Sequence, residues 1–470
     1  MKGASRSSKA SGSPTARLLS SPRGAEPGDE EGDAAPSPRG ARPAGRRPSS
    51  HDAPPHHAVS RDLLGRRRRV FANPWADPSP LGLSGVLAWK WRNRGDPRAL
   101  SSGWLSWDVS PDEAALRAAL PVPEVDAGKV DAPPAEGVQG TWVGHSTVLA
   151  QLGGLTMLTD PIFSERCSPI PGLGPKRLVP PAVTASSEVL RGLDVVVISH
   201  AHYDHLDRRS VEALHARFGG RISWLVPLGL GRWFARRGIK NVVELDWWEE
   251  AVATRRAGGG AGARGRWEVA KVGSPATAGA AKAGVRFVLT PAQHWSNRTG
   301  LDRNESLWGG WAAVSPTGSF WYAGDTGYCP VFEEVGDRLG PFDLAAIPIG
   351  AYDPRDLMRY QHINPDEAVR IHKDVKAHVS LGVHHATFVL TDEAIDQPST
   401  DLRRAMFERG LDDREFVAPR HGTTVRAARA EEREEHAFFL LEAAQHASGE
   451  PAAAAAVQGQ GRPDVAAADQ

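Results

Sequence analysis

Between Val195 and Asp207 the chain reads V-V-V-I-S-H-A-H-Y-D-H-L-D, and this stretch restricts its possible folds more than any other. Val195 to Ile198 is short, apolar and β-branched, the pattern of a strand buried on both faces. His200, His202, Asp204 and His205 follow at once. Side chains alternate along an extended backbone, so His200 and His202 point the same way. Asp204 and His205 come after the strand and can turn toward a second point nearby. Imidazole and carboxylate are ligands for zinc, cobalt, manganese or iron. This density of ligands at a strand terminus indicates two adjacent metals rather than a solvated loop.

Other strand-like runs end the same way. Val285–Leu289 leads to His294, the hairpin strand Ser319–Ala323 to Asp325, and Val379–Val383 to His384. Strands in neighbouring register would bring these ends to one edge. An allocation that serves both metals places His200, His202 and His294 on one, and Asp204, His205 and His384 on the other. Asp325 bridges them, and a water or hydroxide is shared between. His385 competes with His384 for its place, and His384 is favoured. His362, just before a helix start, reads as a pocket residue that contacts substrate or shuttles a proton. His145 reads as a buried polar group near the site, and His372 and His421 as structural.

Charge then bears on the substrate. Two divalent ions outweigh two carboxylates and a hydroxide, so the centre is cationic and attracts an anion. Metals about 3.5–4 Å apart acidify a shared water and clamp the oxygens of an in-line displacement. Phosphodiester hydrolysis fits best, and a lactone, β-lactam or thioester is chemically allowed.

Lys plus Arg and Asp plus Glu number 56 each, so no global field draws in nucleic acid. Two cysteines, Cys167 and Cys329, exclude a disulfide framework and a Cys-rich zinc module. No apolar run reaches the roughly 18 residues of a bilayer span. Trp75, Trp89, Trp91, Trp104 and Trp107 cluster ahead of the His-rich region and suit either a core or a membrane interface.

The organisation expected is fourfold. Residues 1–68, rich in Ser, Pro, Gly, Ala and Arg, form a disordered arm. The stretch before Glu26 lacks acids, as in a transit peptide, although a plain arm is the preferred reading. Arg66–Arg69 reads as a solvated junction or a contact for anionic lipid. Residues 69–140 pack on the core as a Trp/Pro-rich segment, with Leu81–Trp91 able to dip into an interface. Residues 141–426 form the main domain, and 427–470 a helical, then disordered tail. Within the domain, Gly153-Gly154 marks a two-residue hairpin, and Asn364-Pro365-Asp366-Glu367 a capped helix start. Hairpins early and alternating strands and helices later call for an α/β fold of two mixed sheets with helices outside.

His200-Ala201-His202-Tyr203-Asp204-His205 resembles the His-X-His-X-Asp-His signature of the metallo-β-lactamase superfamily, which implies an αββα sandwich. More narrowly, several motifs resemble the N-acyl-phosphatidylethanolamine-hydrolysing phospholipase D family. They are Val143-Gly144-His145-Ser146-Thr147, Leu158-Thr159-Asp160-Pro161, Gly174-Pro175-Lys176-Arg177, Pro291-Ala292-Gln293-His294-Trp295, Ala323-Gly324-Asp325-Thr326-Gly327 and Tyr360-Gln361-His362. The resemblance spans about Phe71 to Gly422. It implies a membrane-associated enzyme with two zinc ions per chain that cleaves N-acyl-phosphatidylethanolamine to N-acylethanolamine and phosphatidic acid through a metal-bridging hydroxide. It also implies seven metal ligands, His200, His202, Asp204, His205, His294, Asp325 and His384. Catalytic roles are expected at Asp204, Asp325 and His362. The expected partner is a phospholipid at a membrane surface, with no nucleic acid, no transmembrane segment and a homodimer allowed. The location would be peripheral membrane or cytoplasmic, or an organelle if the arm is a targeting signal. A soluble phosphodiester or a lactone is the alternative substrate. The chain departs from the family's animal members at Arg208, where they carry an aromatic residue, and at His385-Ala386, where they carry Trp-Gly.

Overall fold

The computed structural model describes residues 56–61, 67–75, 116, 118, 120–170, 172–256, 265–274 and 284–428. In chain order the strands are β1 (His57–Arg61), β2 (Arg67–Phe71), β3 (Val138–Gly144), β4 (Thr147–Leu152), β5 (Leu155–Thr159) and β6 (Val195–Val197). Then come β7 (Ser223–Pro227), β8 (Val242–Leu245), β9 (Glu250–Arg256), β10 (Arg266–Lys271), β11 (Val285–Thr290) and β12 (Gly310–Ser315). The last five are β13 (Gly318–Tyr322), β14 (Phe342–Pro348), β15 (Ala377–Val383), β16 (Phe416–Val417) and β17 (Thr424–Ala427).

These strands make two large sheets and a small ribbon. One sheet has the order β17-β3-β4-β5-β6-β7-β8, the other β10-β9-β11-β12-β13-β14-β15-β16, and β1 pairs with β2. Alternation along single strands explains why the sheets face each other. Val195 and Val197 join the central core with Leu344 and Ala346. Val196 and Ile198 face the other way, packing with Val211 and Leu214 of the helix Arg208–Phe218. Ala345 and Ile347 likewise meet the helices Val331–Leu339 and Pro365–Asp374. The result is the expected helix–sheet–sheet–helix sandwich. Trp311 ties the layers together by donating its indole N–H to the Ile198 carbonyl at 2.8 Å.

Strand direction puts the functional ends together. β5, β6, β7 and β8 are mutually parallel. In the other sheet β13, β14 and β15 are parallel, and β11 is antiparallel to β12, which is antiparallel to β13. The C-terminal ends of β11, β13 and β15 therefore lie at one edge. Two local signals read from the sequence account for neighbouring turns. Gly153 and Gly154 both take positive φ, 56° and 76°, as a tight two-residue hairpin requires. Asn364 caps the helix Pro365–Asp374 through a full capping box with Glu367, worth about 1 kcal/mol.

The expected arm and domain limits need correction. Residues 57–61, assigned to the arm, form β1, paired with β2 in register from His57↔Phe71 to Arg61↔Arg67. Its anchors are distant in sequence and so were invisible locally. The two oxygens of Asp246 take His56 Nε2 and His57 Nε2, each at 2.6 Å, and Phe71 is buried in the central core. Trp75 packs there too, 5.8 Å from the Trp247 ring. β3 begins at Val138, ahead of the expected start at 141, and pairs with β17, which ends at Ala427. The transit-peptide reading, Leu81–Trp91, the remaining tryptophans before 108 and the tail beyond 428 lie outside the described residues. No helix among the described residues is long and apolar enough to cross a membrane.

Candidate metal centre

All the residues singled out from strand ends meet in one cluster. After β6, Ser199 leads to His200 and His202, and the His205 and Leu206 amides donate to the His202 carbonyl, which turns the chain. Asp207 then caps the helix Arg208–Phe218, accepting from the amides of Arg209 and Ser210. His294 follows β11, Asp325 follows β13 and His384 follows β15. Gly324 turns the chain into Asp325 at φ 64°; a Cβ there would meet Ser199 Cβ and the Gly309 oxygen at 2.9 Å. His145, Asp160, His384 and Ala386 also take positive φ, of 51°, 31°, 62° and 50°. Such strain in non-glycine residues gathers where a site must be held open.

Three imidazoles form one pole. His202 Nδ1 lies 2.8 Å from His200 Nε2 and 3.2 Å from His294 Nε2. Burial lowers all three pKa values, to about 3 for His202 and about 4 for His294. Neutral rings whose nitrogens converge this closely offer lone pairs that a cation among them could take. The second pole is Asp204 Oδ2, 3.4 Å from both His205 Nε2 and His384 Nε2, and 3.1 Å from His145 Nε2.

Asp325 joins the poles. Its Oδ2 is 3.0 Å from His205 Nε2 and 3.2 Å from His384 Nε2, and 3.8 Å and 3.9 Å from His200 Nε2 and His294 Nε2. Its Oδ1, His205 Nε2 and both ring nitrogens of His384 are buried without a hydrogen-bond partner. Burial opposes ionising Asp204 and Asp325, yet the surrounding histidines, His205 foremost, hold both carboxyls well below the usual range. Burial would depress His384 as well, but Asp325 and Asp204 outweigh it and raise it to about 9. The second pole thus demands positive charge. Five imidazoles, two carboxylates and orphaned donor atoms suit two divalent cations of the zinc, cobalt, manganese or iron type.

Surrounding bonds fix which nitrogen of His205 and of His294 faces inward. His205 Nδ1 donates to Asp160 Oδ2 at 2.7 Å, and His294 Nδ1 to the Gln361 carbonyl at 2.9 Å. Asp160 also accepts from the Ser199 amide at 2.7 Å, the Ser199 hydroxyl and the Tyr322 hydroxyl at 2.5 Å. Orienting bonds of this kind set the basicity of metal-bound histidine. The part played by Asp160, Ser199 and Tyr322 was missed in the sequence. The signal was there for Asp160, a carboxylate ending the apolar strand Leu155–Thr159 just as Asp325 follows β13.

His362 stands over the bridge, Nε2 3.9 Å from Asp325 Oδ2, with Nδ1 buried and unpartnered. Its backbone is held at both ends: its amide donates to the Met358 carbonyl at 2.7 Å, and its carbonyl accepts from Arg355 at 2.7 Å. His145 is buried beside Asp204, as expected. His385 turns away from the centre and stacks on Trp142 at 4.6 Å, which leaves the place to His384. His372 bonds Ser380 at 2.8 Å, and His421 bonds Thr387 and Pro180, both as structural groups. Arg208 is exposed and pairs with Glu212 at 2.7 Å.

The chain is similar to several known proteins. Residues 156–385 match the family model described as the beta-lactamase superfamily domain. An N-acyl-phosphatidylethanolamine-hydrolyzing phospholipase D of Caenorhabditis elegans is 40% identical over 318 residues, covering 66% of this chain and 81% of that protein. A mitochondrial protein of the same description from Saccharomyces cerevisiae is 34% identical over 284 residues, covering 59% of this chain and 53% of that one. Among solved structures, a metallo hydrolase of Ignicoccus hospitalis overlays with a TM-score of 0.40 at 19% identity, covering 62% of this chain and 97% of that one.

Proposed function

Because the chain belongs to the N-acyl-phosphatidylethanolamine-hydrolysing phospholipase D family and is a metal-dependent hydrolase of the metallo-β-lactamase superfamily, we propose that it is a dinuclear zinc phosphodiesterase. Its substrate is N-acyl-phosphatidylethanolamine at a membrane surface, and its products are N-acylethanolamine and phosphatidic acid. The observation that carries this reading is Asp325 Oδ2, set between the imidazoles of the two poles. His200, His202 and His294 would hold one ion, Asp204, His205 and His384 the other, and Asp325 both. Bound there, the ions would supply Lewis acidity, acidifying water and neutralising charge on the phosphoryl oxygens.

The chain's own groups do the rest. Asp160 keeps His205 in one tautomer, and the Gln361 carbonyl does the same for His294. Burial pulls the His362 pKa well below its ordinary value, so the ring is neutral near pH 7 and offers a lone pair that can accept a proton. In the reaction, water gives its hydroxyl to phosphorus, and the P–O bond to the ethanolamide breaks. His362 is placed to take the proton that the attacking water gives up and to pass it to the departing alkoxide.

The test is to incubate the pure protein with N-acyl-phosphatidylethanolamine in heavy-oxygen water and identify the products by mass spectrometry. The expected result is N-acylethanolamine without the label and phosphatidic acid carrying one labelled oxygen. Label in the ethanolamide would contradict attack at phosphorus. Absence of both products, with turnover of a soluble phosphodiester or a lactone, would favour the alternative substrate class.

A further inference from the structure

Two loops leave the fold at the edge that carries the metal-type cluster. The first, which carries Ile170 and Leu173, is clipped at its base: the Cys167 amide donates to the Pro175 carbonyl at 3.2 Å, and Arg166 to the Gly174 carbonyl at 2.6 Å. Leu178 N–H donates to Thr387 O at 2.8 Å, which ties the loop to the segment just past His384. The second, 297–303, follows His294 and is closed by Asp302, whose Oδ1 accepts from the amides of Arg298 and Thr299 at 2.9 and 2.8 Å.

Both loops hold aliphatic side chains out in water. Ile170 is 54% exposed, Leu173 46% and Leu301 76%. Three of the six exposed large hydrophobic residues among the described residues thus stand on these two loops. Single exposed apolar residues need no explanation, but several gathered beside a site do. The same loop and its flanks carry rings and cations. Trp295 packs edge-on to His202 at 4.4 Å and is covered by Arg303 at 4.7 Å, while Arg298 covers Tyr203 at 4.2 Å. Aliphatic tips with aromatic rings and cations on the neighbouring residues suit a bilayer face, where acyl chains lie deep and phosphates at the surface.

We propose that Ile170, Leu173 and Leu301, with Arg298 and Arg303 behind them, form the surface on which this chain docks to an anionic phospholipid bilayer. The proposal rests on the lipid-substrate reading above and names where that lipid is met. Docking by these tips brings the mouth of the cluster against the headgroups, so a phosphodiester need not leave the membrane to be bound.

The test is co-sedimentation of the full chain with vesicles of phosphatidylcholine containing phosphatidylglycerol, comparing wild type with the triple variant Ile170→Asp, Leu173→Asp, Leu301→Asp. The sites are exposed, so melting temperature and metal content should match wild type. The expected result is vesicle binding by wild type and a roughly 100-fold weaker partition for the variant. A variant that sediments like wild type, or a wild type that stays in the supernatant, would overturn the proposal. Sedimentation needs no turnover. A vesicle-bound protein that leaves N-acyl-phosphatidylethanolamine intact would sink the proposed reaction and leave the docking surface standing.

Discussion

Replacing Asp325 by asparagine is expected to lower kcat by roughly a thousandfold or more, with the fold unchanged. Asparagine has nearly the same volume, so the buried site keeps its packing. What changes is charge and lone pairs. Oδ2 of Asp325 lies within 3.9 Å of ring nitrogens from both poles, and among the described residues no other carboxylate oxygen is recorded so placed. An amide offers one neutral oxygen and turns N–H groups toward imidazole lone pairs where a cation is needed. One ion would be lost or displaced, and with it the shared activation of water. Near-normal turnover by Asp325→Asn would show that the bridge is misassigned.

The second large effect is at Asp160, one hydrogen bond behind His205. Its carboxylate accepts from the Ser199 amide, the Ser199 and Tyr322 hydroxyls and His205 Nδ1, all in a fully buried setting. Asp160→Ala strands these donors without water. Each stranded donor costs about 1–3 kcal/mol, and with partial relaxation the loss of stability should be about 3–5 kcal/mol. His205 also loses the bond that fixes its tautomer, so metal affinity should fall about 10–100-fold. Denaturant unfolding reads the first effect and metal titration the second. A loss under about 1 kcal/mol with unchanged affinity would mean that the network is not load-carrying.

Much of this site was legible because its ligands use local grammar. A buried strand must end, and a polar residue directly after an apolar run is placed at a sheet edge by chain geometry alone. His200, His294, Asp325 and His384 were found that way, and the capping box at Asn364 marked the approach to His362. What stayed hidden depends on partners far along the chain. β1 and the Arg-rich β2 read as solvated arm and junction, because the Asp246 carboxylate that holds His56 and His57 lies nearly two hundred residues on. β3, with two glycines in Val138–Gly144, lacks a strand-like pattern and is held by β4 and β17. Asp160 resembled a turn residue, since nothing nearby reveals that Ser199, Tyr322 and His205 all point at it.

The central claim is a pair of ions straddling Asp325, and metal analysis of the purified full chain tests it most directly. Elemental mass spectrometry on protein never exposed to chelator should find near two equivalents of zinc or a similar divalent ion per chain. Chelation should abolish hydrolysis, and added metal should restore it. One equivalent or none, in protein that still turns over substrate, would contradict the account.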